Sequence, residues 1–304
     1  MSHARFRPFA PAALLGAIAF VAGSSRAGAQ GHASLPPSND AAAARIAASP
    51  RHAEWVKIPW GDGRGDSLMA YVVYPITARE HSPVVVVVHE IFGLATWVRG
   101  VADQVAADGF IAIAPDLNSR VRGGPSTTEL PRDSSVRIIA NVPVADRVAG
   151  VTAAARYATS LASAERRYAV IGFCWGGSTV WSYAVNGGMA GYSGGVAYYG
   201  TPYLANGAPV ADSLRKIDKP VMLLNGSLDP RIGAAMPAIE AQMKALGKDY
   251  FGRNYEGAVH GFMRAQDDPA RSERNPDQER ANLAASMDAW PRTVAFLKKQ
   301  TGIQ

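Results

Sequence analysis

The stretch Tyr168-Ala-Val-Ile-Gly172-Phe-Cys174-Trp-Gly176-Gly177-Ser178 restricts the possible folds more than any other part of the chain. Its apolar run over 168–171 reads as a buried strand, and the run over 178–185 is compatible with a helix. Between them one reactive side chain, Cys174, stands between glycines at 172 and 176. A strand that turns sharply into a helix brings backbone to where a neighbouring Cβ would sit, so glycine is needed on both sides. The N–H of Trp175 would then lie at the helix N-terminus, where developing negative charge is stabilised. The spacing predicts a nucleophile elbow, with a thiol at its tip.

The remaining segments supply a sheet for that elbow. Five consecutive valines, 84–88, show no polar alternation, the pattern of a strand covered on both faces as in a parallel sheet. A central strand is expected over 109–116, short buried strands over 195–199 and 221–225, and a last strand over 249–255, with helices over 97–107, 144–161, 234–246 and 278–299. Segments 55–60 and 67–74 read as two arms of a hairpin across the turn-rich Gly61-Asp-Gly-Arg-Gly-Asp66. Residues 117–143 are polar and irregular and are expected to form a flap over the site. Strands alternating with helices imply an α/β fold, a doubly wound and mostly parallel sheet, in a single domain over 51–304. The Ala-, Ser- and Pro-rich stretch 30–50 reads as a linker with a short helix over 41–48.

Residues 1–29 carry the features of an export signal. Arg5 and Arg7 precede an apolar run over 10–23, and Ala27-Gly28-Ala29 has the small-x-small cleavage pattern, so a mature chain starting at Gln30 is expected, periplasmic or secreted. The apolar run is too short for a stable membrane anchor. No Arg-Arg pair and no cysteine at the cleavage point occur there, which favours the general secretory route and argues against a lipoprotein. The formal charge of +6 falls to +3 once Arg5, Arg7 and Arg26 are set aside, too little and too scattered for nucleic acid. One cysteine excludes an internal disulfide and a multi-cysteine metal site. A lone thiol is most often an inert buried group. A position between glycines at a turn argues for a reactive one.

Cys174, Asp229 and His260 each fall on a loop directly after an expected strand, in the order nucleophile, acid, base that α/β-hydrolases use. A free thiol has a pKa of about 8.5 and needs a neighbouring base to react at neutral pH. His260 would take its proton, and Asp229 would hold the imidazole tautomer. Asp218 is the alternative acid, although it precedes its strand and would sit at the opposite end of the sheet.

Together, His89-Glu90-Ile91-Phe92-Gly93, the Gly172-Phe-Cys174-Trp-Gly-Gly177 elbow, Asp229 and His260-Gly261-Phe262 resemble the dienelactone hydrolase family, from about residue 55 to the end. The resemblance implies the α/β-hydrolase fold and hydrolysis of small esters or lactones through an acyl-enzyme, without metal or cofactor. It implies that Glu90 hydrogen-bonds the resting thiol and helps ionise it, and that the N–H of Ile91 joins that of Trp175 in an oxyanion hole. It further implies that Phe92 lines the substrate site and that Arg264, four residues after His260, binds a substrate carboxylate. From the residues alone, Arg264 could equally pair with Asp267 or Asp268 on the surface. A second arginine is implied from the segment before the elbow, where Arg120, Arg122 and Arg132 are candidates. The export signal differs from the cytoplasmic members of the family. A monomer acting on a small ester or lactone is expected; the alternatives are a silent binding protein on the same fold and a redox-sensing thiol protein, the latter disfavoured by the lack of a second cysteine.

Overall fold

The computed structural model describes Met1 and residues 34–61, 63–77, 79–122, 125–206, 208–266 and 275–303. The expected export signal lies outside the described residues, Met1 apart. In chain order the elements are α1 (Ala42–Ala47), β1 (Ala53–Pro59), β2 (Ser67–Val73), β3 (Ser82–Val88), α2 (Thr96–Ala107), β4 (Ile111–Pro115) and α3 (Arg132–Ile139). Next come α4 (Val144–Thr159), β5 (Ala164–Phe173), α5 (Trp175–Val185), β6 (Tyr192–Tyr198), a ribbon of β7 (Leu204–Ala205) and β8 (Ala208–Pro209), and α6 (Ala211–Leu214). The chain closes with β9 (Val221–Gly226), α7 (Pro230–Gly233), α8 (Met236–Ala245), β10 (Tyr250–Tyr255), α9 (Phe262–Ala265) and α10 (Pro276–Thr301).

Eight strands form one sheet in the order β1-β2-β4-β3-β5-β6-β9-β10. The hairpin β1–β2 and the β2–β4 pair are antiparallel, and every other pairing is parallel. The five valines of β3 are fully buried between β4 and β5, as their unbroken apolar run required. Removing such side chains from water is worth about 2 kcal/mol each, so this strand alone anchors the core with about 10 kcal/mol. Parallel strands share one carboxyl end, and the register Val88↔Gly172 places the residues after β3 beside those after β5. Ligands bind at that edge of an open α/β sheet.

Two regions differ from the sequence expectation. Segment 117–143 is not wholly irregular: α3 starts after Pro131 and buries Ser135 and Ile139. Eight residues with little apolar content leave no periodic signal to read. The stretch read as a linker packs on the domain between 35 and 48. Leu35 and Ser38 are buried, Arg51 beyond α1 pairs with Asp103 of α2 at 2.5 Å, and a Cβ on Gly100 of α2 would meet Pro37 at 2.6 Å. The short helix expected over 41–48 is present as α1.

Candidate active site

Cys174 sits between β5 and α5 with φ 56° and ψ −115°, a backbone conformation that L-residues rarely adopt. Close packing around it enforces the turn. A Cβ on Gly172 would lie 2.2 Å from the carbonyl oxygen of Gly176, and one on Gly176 would lie 2.4 Å from that of Val88. The N–H of Cys174 is held by the Tyr198 carbonyl at 3.0 Å, so the elbow is tied to the next strand.

The backbone N–H groups of Trp175 and Ile91 are both close enough to the Cys174 sulfur to favour its thiolate. Burial and the nearby charge of Glu90 nevertheless push the thiol up to about 11, so a base must act for it to ionise near neutrality. The Ile91 amide is held in place by two groups outside the elbow. The Ser135 hydroxyl of α3 donates to the Ile91 carbonyl at 2.9 Å. His89 is fully buried and accepts the Leu117 N–H at Nε2 (3.1 Å), so its proton is on Nδ1, which donates to the Glu90 carbonyl at 2.8 Å. Burial lowers the His89 pKa, in keeping with that neutral tautomer.

Asp229 and His260 follow β9 and β10, and parallel pairing of those strands brings them together. His260 Nδ1 lies 2.5 Å from Asp229 Oδ2, and Asp229 is buried apart from a flank on exposed Arg231. Asp218, the alternative acid, borders a groove with Gly187 and Tyr192 at the other end of the sheet. His260 packs against Tyr199, ring centroids 5.0 Å apart. Tyr199 itself has φ 37° and a buried hydroxyl with no partner among the described residues. The sequence places Tyr199 only at the end of an expected strand.

Glu90 follows β3 and is buried. Its carboxylate accepts from Arg264 Nη1 at 3.1 Å and acts on Cys174 through charge, with no thiol hydrogen bond among the described residues. A guanidinium donor outcompetes a weak S–H donor for a buried carboxylate. Burial raises Glu90 to about 7 even against the pull of Arg264. Arg264 is therefore not a free surface cation: it bonds Glu90 and Asn39 and lies 4.4 Å over the Phe92 ring. Asp267 and Asp268, its alternative partners, lie outside the described residues.

Of the three candidate second arginines, two are committed elsewhere. Arg120 pairs with Asp66 and Asp146 over Trp60, and Arg122 is buried on Asp116 and the Thr128 carbonyl. Arg132 lies on the cleft wall, 5.2 Å from the centre of the Phe92 ring, with no ion pair among the described residues. The cleft, about 450 Å³, is lined by Glu90, Ile91, Phe92, Cys174, His260 and the two arginines 132 and 264, among others. It is polar enough to orient a small substrate and has room for one.

Comparison with known proteins accords with this arrangement. The family model described as "Dienelactone hydrolase family" matches residues 68–301. A protein of Escherichia coli O157:H7 named "Putative carboxymethylenebutenolidase" is 29% identical over 247 residues, 79% of this chain and 85% of its own. One of the same name from Methylorubrum extorquens is 31% identical over 214 residues, 68% of this chain and 71% of its own. Among solved structures, a "Putative Dienelactone Hydrolase" of Klebsiella pneumoniae superposes with a TM-score of 0.63 at 25% identity, covering 82% of this chain and 99% of that one. An esterase of Pyrobaculum calidifontis shares the fold with a TM-score of 0.58 at 16% identity, over 86% of this chain and 90% of its own. The chain belongs to the dienelactone hydrolase family and has its α/β-hydrolase fold, a hydrolase acting on ester or lactone bonds.

Proposed function

We propose that the protein is an exported thiol hydrolase that opens small carboxylated esters or lactones through an acyl-enzyme on Cys174. The observation that carries this reading is the convergence, in one cleft, of a thiol faced by two backbone donors and an imidazole bonded to a buried carboxylate. Glu90, pushed up to about 7, assists removal of the thiol proton near neutral pH, and His260 takes that proton. The sulfur attacks the substrate carbonyl, and the oxyanion takes hydrogen bonds from the Ile91 and Trp175 N–H groups beside the sulfur. His260 protonates the leaving oxygen, and the carbon–oxygen bond breaks to leave a thioester. Water then attacks that thioester with His260 as base, Asp229 stabilising the imidazolium, and the acid product and free thiol are restored.

Arg132 and Arg264, both against Phe92 in the cleft, support a carboxylated substrate, since guanidinium groups bind carboxylates through paired planar donors. Export is supported by the Arg5/Arg7, apolar and Ala27-Gly28-Ala29 pattern. The test is a turnover screen of aryl esters, small lactones and dienoic lactones with residues 30–304, followed in the first turnover. A burst of chromogenic leaving group equal to the enzyme is expected. Absence of turnover on every ester and lactone would leave a binding protein on a hydrolase fold. Intact mass of the chain recovered from the native host's periplasm should begin at Gln30, and full-length chain in the cytosol would overturn export.

A further inference from the structure

Residues 36–39 are tied to α9, whose Arg264 and Ala265 line the cleft, and to α2. The Pro36 carbonyl accepts from Gln266 Nε2 at 3.0 Å, the Pro37 carbonyl from Trp97 Nε1 at 2.9 Å, and the Asn39 N–H donates to the Arg264 carbonyl at 3.0 Å. The Asn39 side chain then reaches the site itself. Its Oδ1 accepts from Arg264 Nε at 3.0 Å and from Nη2 at 2.5 Å, while its Nδ2 donates to Asp40. The guanidinium offers only donors, so the oxygen must face it, and the contact to Asp40 agrees with that orientation.

We propose that Asn39 is a positioning residue of the thiol site, turning the Arg264 guanidinium so that Nη1 meets Glu90, the carboxylate beside Cys174. Two N–H groups fixed on one oxygen leave a planar guanidinium little freedom, and the third nitrogen then lies 3.1 Å from Glu90 Oε2. A neutral amide does this without neutralising the cation, so the full charge of Arg264 remains to hold Glu90 as a carboxylate. An aspartate at 39 would orient the guanidinium equally well and draw its charge away. The proposal rests on the thiol-hydrolase reading above and concerns a segment outside the run matched by the family model, 68–301. The ionisable groups facing Glu90 and Cys174 are Arg264 on α9, Tyr199 after β6, His260 after β10 and Arg231 on α7, with Glu129 and Arg132 also lining the cleft. Asn39→Ala and Asn39→Asp change none of these groups directly.

The test is the pH profile of iodoacetamide alkylation of Cys174, read by intact mass, alongside kcat/KM on a small ester. Weakening the Arg264–Glu90 contact raises the pKa of Glu90, so both variants should move the acid limb up by about half to one unit and slow the protein about three- to tenfold at pH 7. In an Arg264→Ala background neither variant should add a further shift. Asn39→Asp keeps an acceptor and leaves the backbone anchors in place, so it separates charge from docking. An acid limb unmoved by Asn39→Asp, or an equal shift with and without Arg264, would contradict the proposal and reduce Asn39 to a packing contact. Alkylation needs no turnover. A wild type that alkylates but hydrolyses nothing would therefore sink the hydrolase reading while the role of Asn39 is still decided.

Discussion

The two walls of the cleft are built in different ways. On one wall Cys174, Asp229 and His260 each follow a parallel strand, and the sheet register brings them to one edge. On the other, Glu90 follows a strand, but its partner Arg264, the Asn39 that holds Arg264 and the Arg132 beside Phe92 come from a one-turn helix, a segment before β1 and a short helix of the flap region. The first wall places the groups that make and break bonds. The second sets the charge they feel, and it depends on single side-chain contacts over long sequence separations.

Substitutions should separate the walls. Cys174→Ala removes the bond-forming atom and should lower ester turnover by at least about a thousandfold while leaving circular dichroism unchanged. Retained activity would mean that the first wall is not the site of chemistry. Arg264→Ala strikes the second wall. It should cost about ten- to a hundredfold in kcat/KM on a carboxylated ester, the scale of a charged hydrogen bond. Because Arg264 also holds Glu90, a neutral ester of similar shape should lose part of that as well, through a displaced acid limb. Equal losses on the two substrates would mean that Arg264 acts on Glu90 alone. Arg132→Ala leaves Glu90 untouched, so its loss of about tenfold should fall on the carboxylated ester only.

The smallest effect concerns stability. Glu90 ionises near its ordinary value in the unfolded chain and only near 7 when folded, so the folded state holds a proton that the unfolded state has lost. Stability from this group is complete below about 4.5, falls as pH rises and reaches its lowest level above about 7, a loss on the order of 3 kcal/mol. Glu90→Gln removes that loss and should raise Tm by a few degrees at pH 8 relative to wild type, with little gain at pH 4. No difference between the two pH values would mean that Glu90 is not a buried carboxylate under strain from desolvation.

The same contrast explains what the sequence disclosed. Runs such as Val84 to Val88 and 168–171 are buried on both faces, so hydrophobicity marks them as central strands, and residues just past their ends fall at the ligand edge. Cys174, Glu90 and Asp229 were legible for that reason, and His260, after the exposed edge strand β10, was legible from the nucleophile, acid, base order. The short helix α3 was not, because a single turn or two carries no periodic signal, and with it went the place of Arg132 in the cleft and the Ser135 bond to Ile91. Asn39 and Arg264 are 225 residues apart. Nothing in an Ala-, Ser- and Pro-rich stretch announces a contact of that range. The pairing of Arg264 with Glu90 was also hidden, since nearby Asp267 and Asp268 offered an equally good local partner.

The central claim is that Cys174 carries the acyl group. Wild type mixed with an activated ester, quenched in acid within the first turnover and digested, should give one acylated peptide, the one containing Cys174, as a hydroxylamine-labile thioester. A burst with the acyl group on any other residue, or with no acylated peptide at all, would contradict the account.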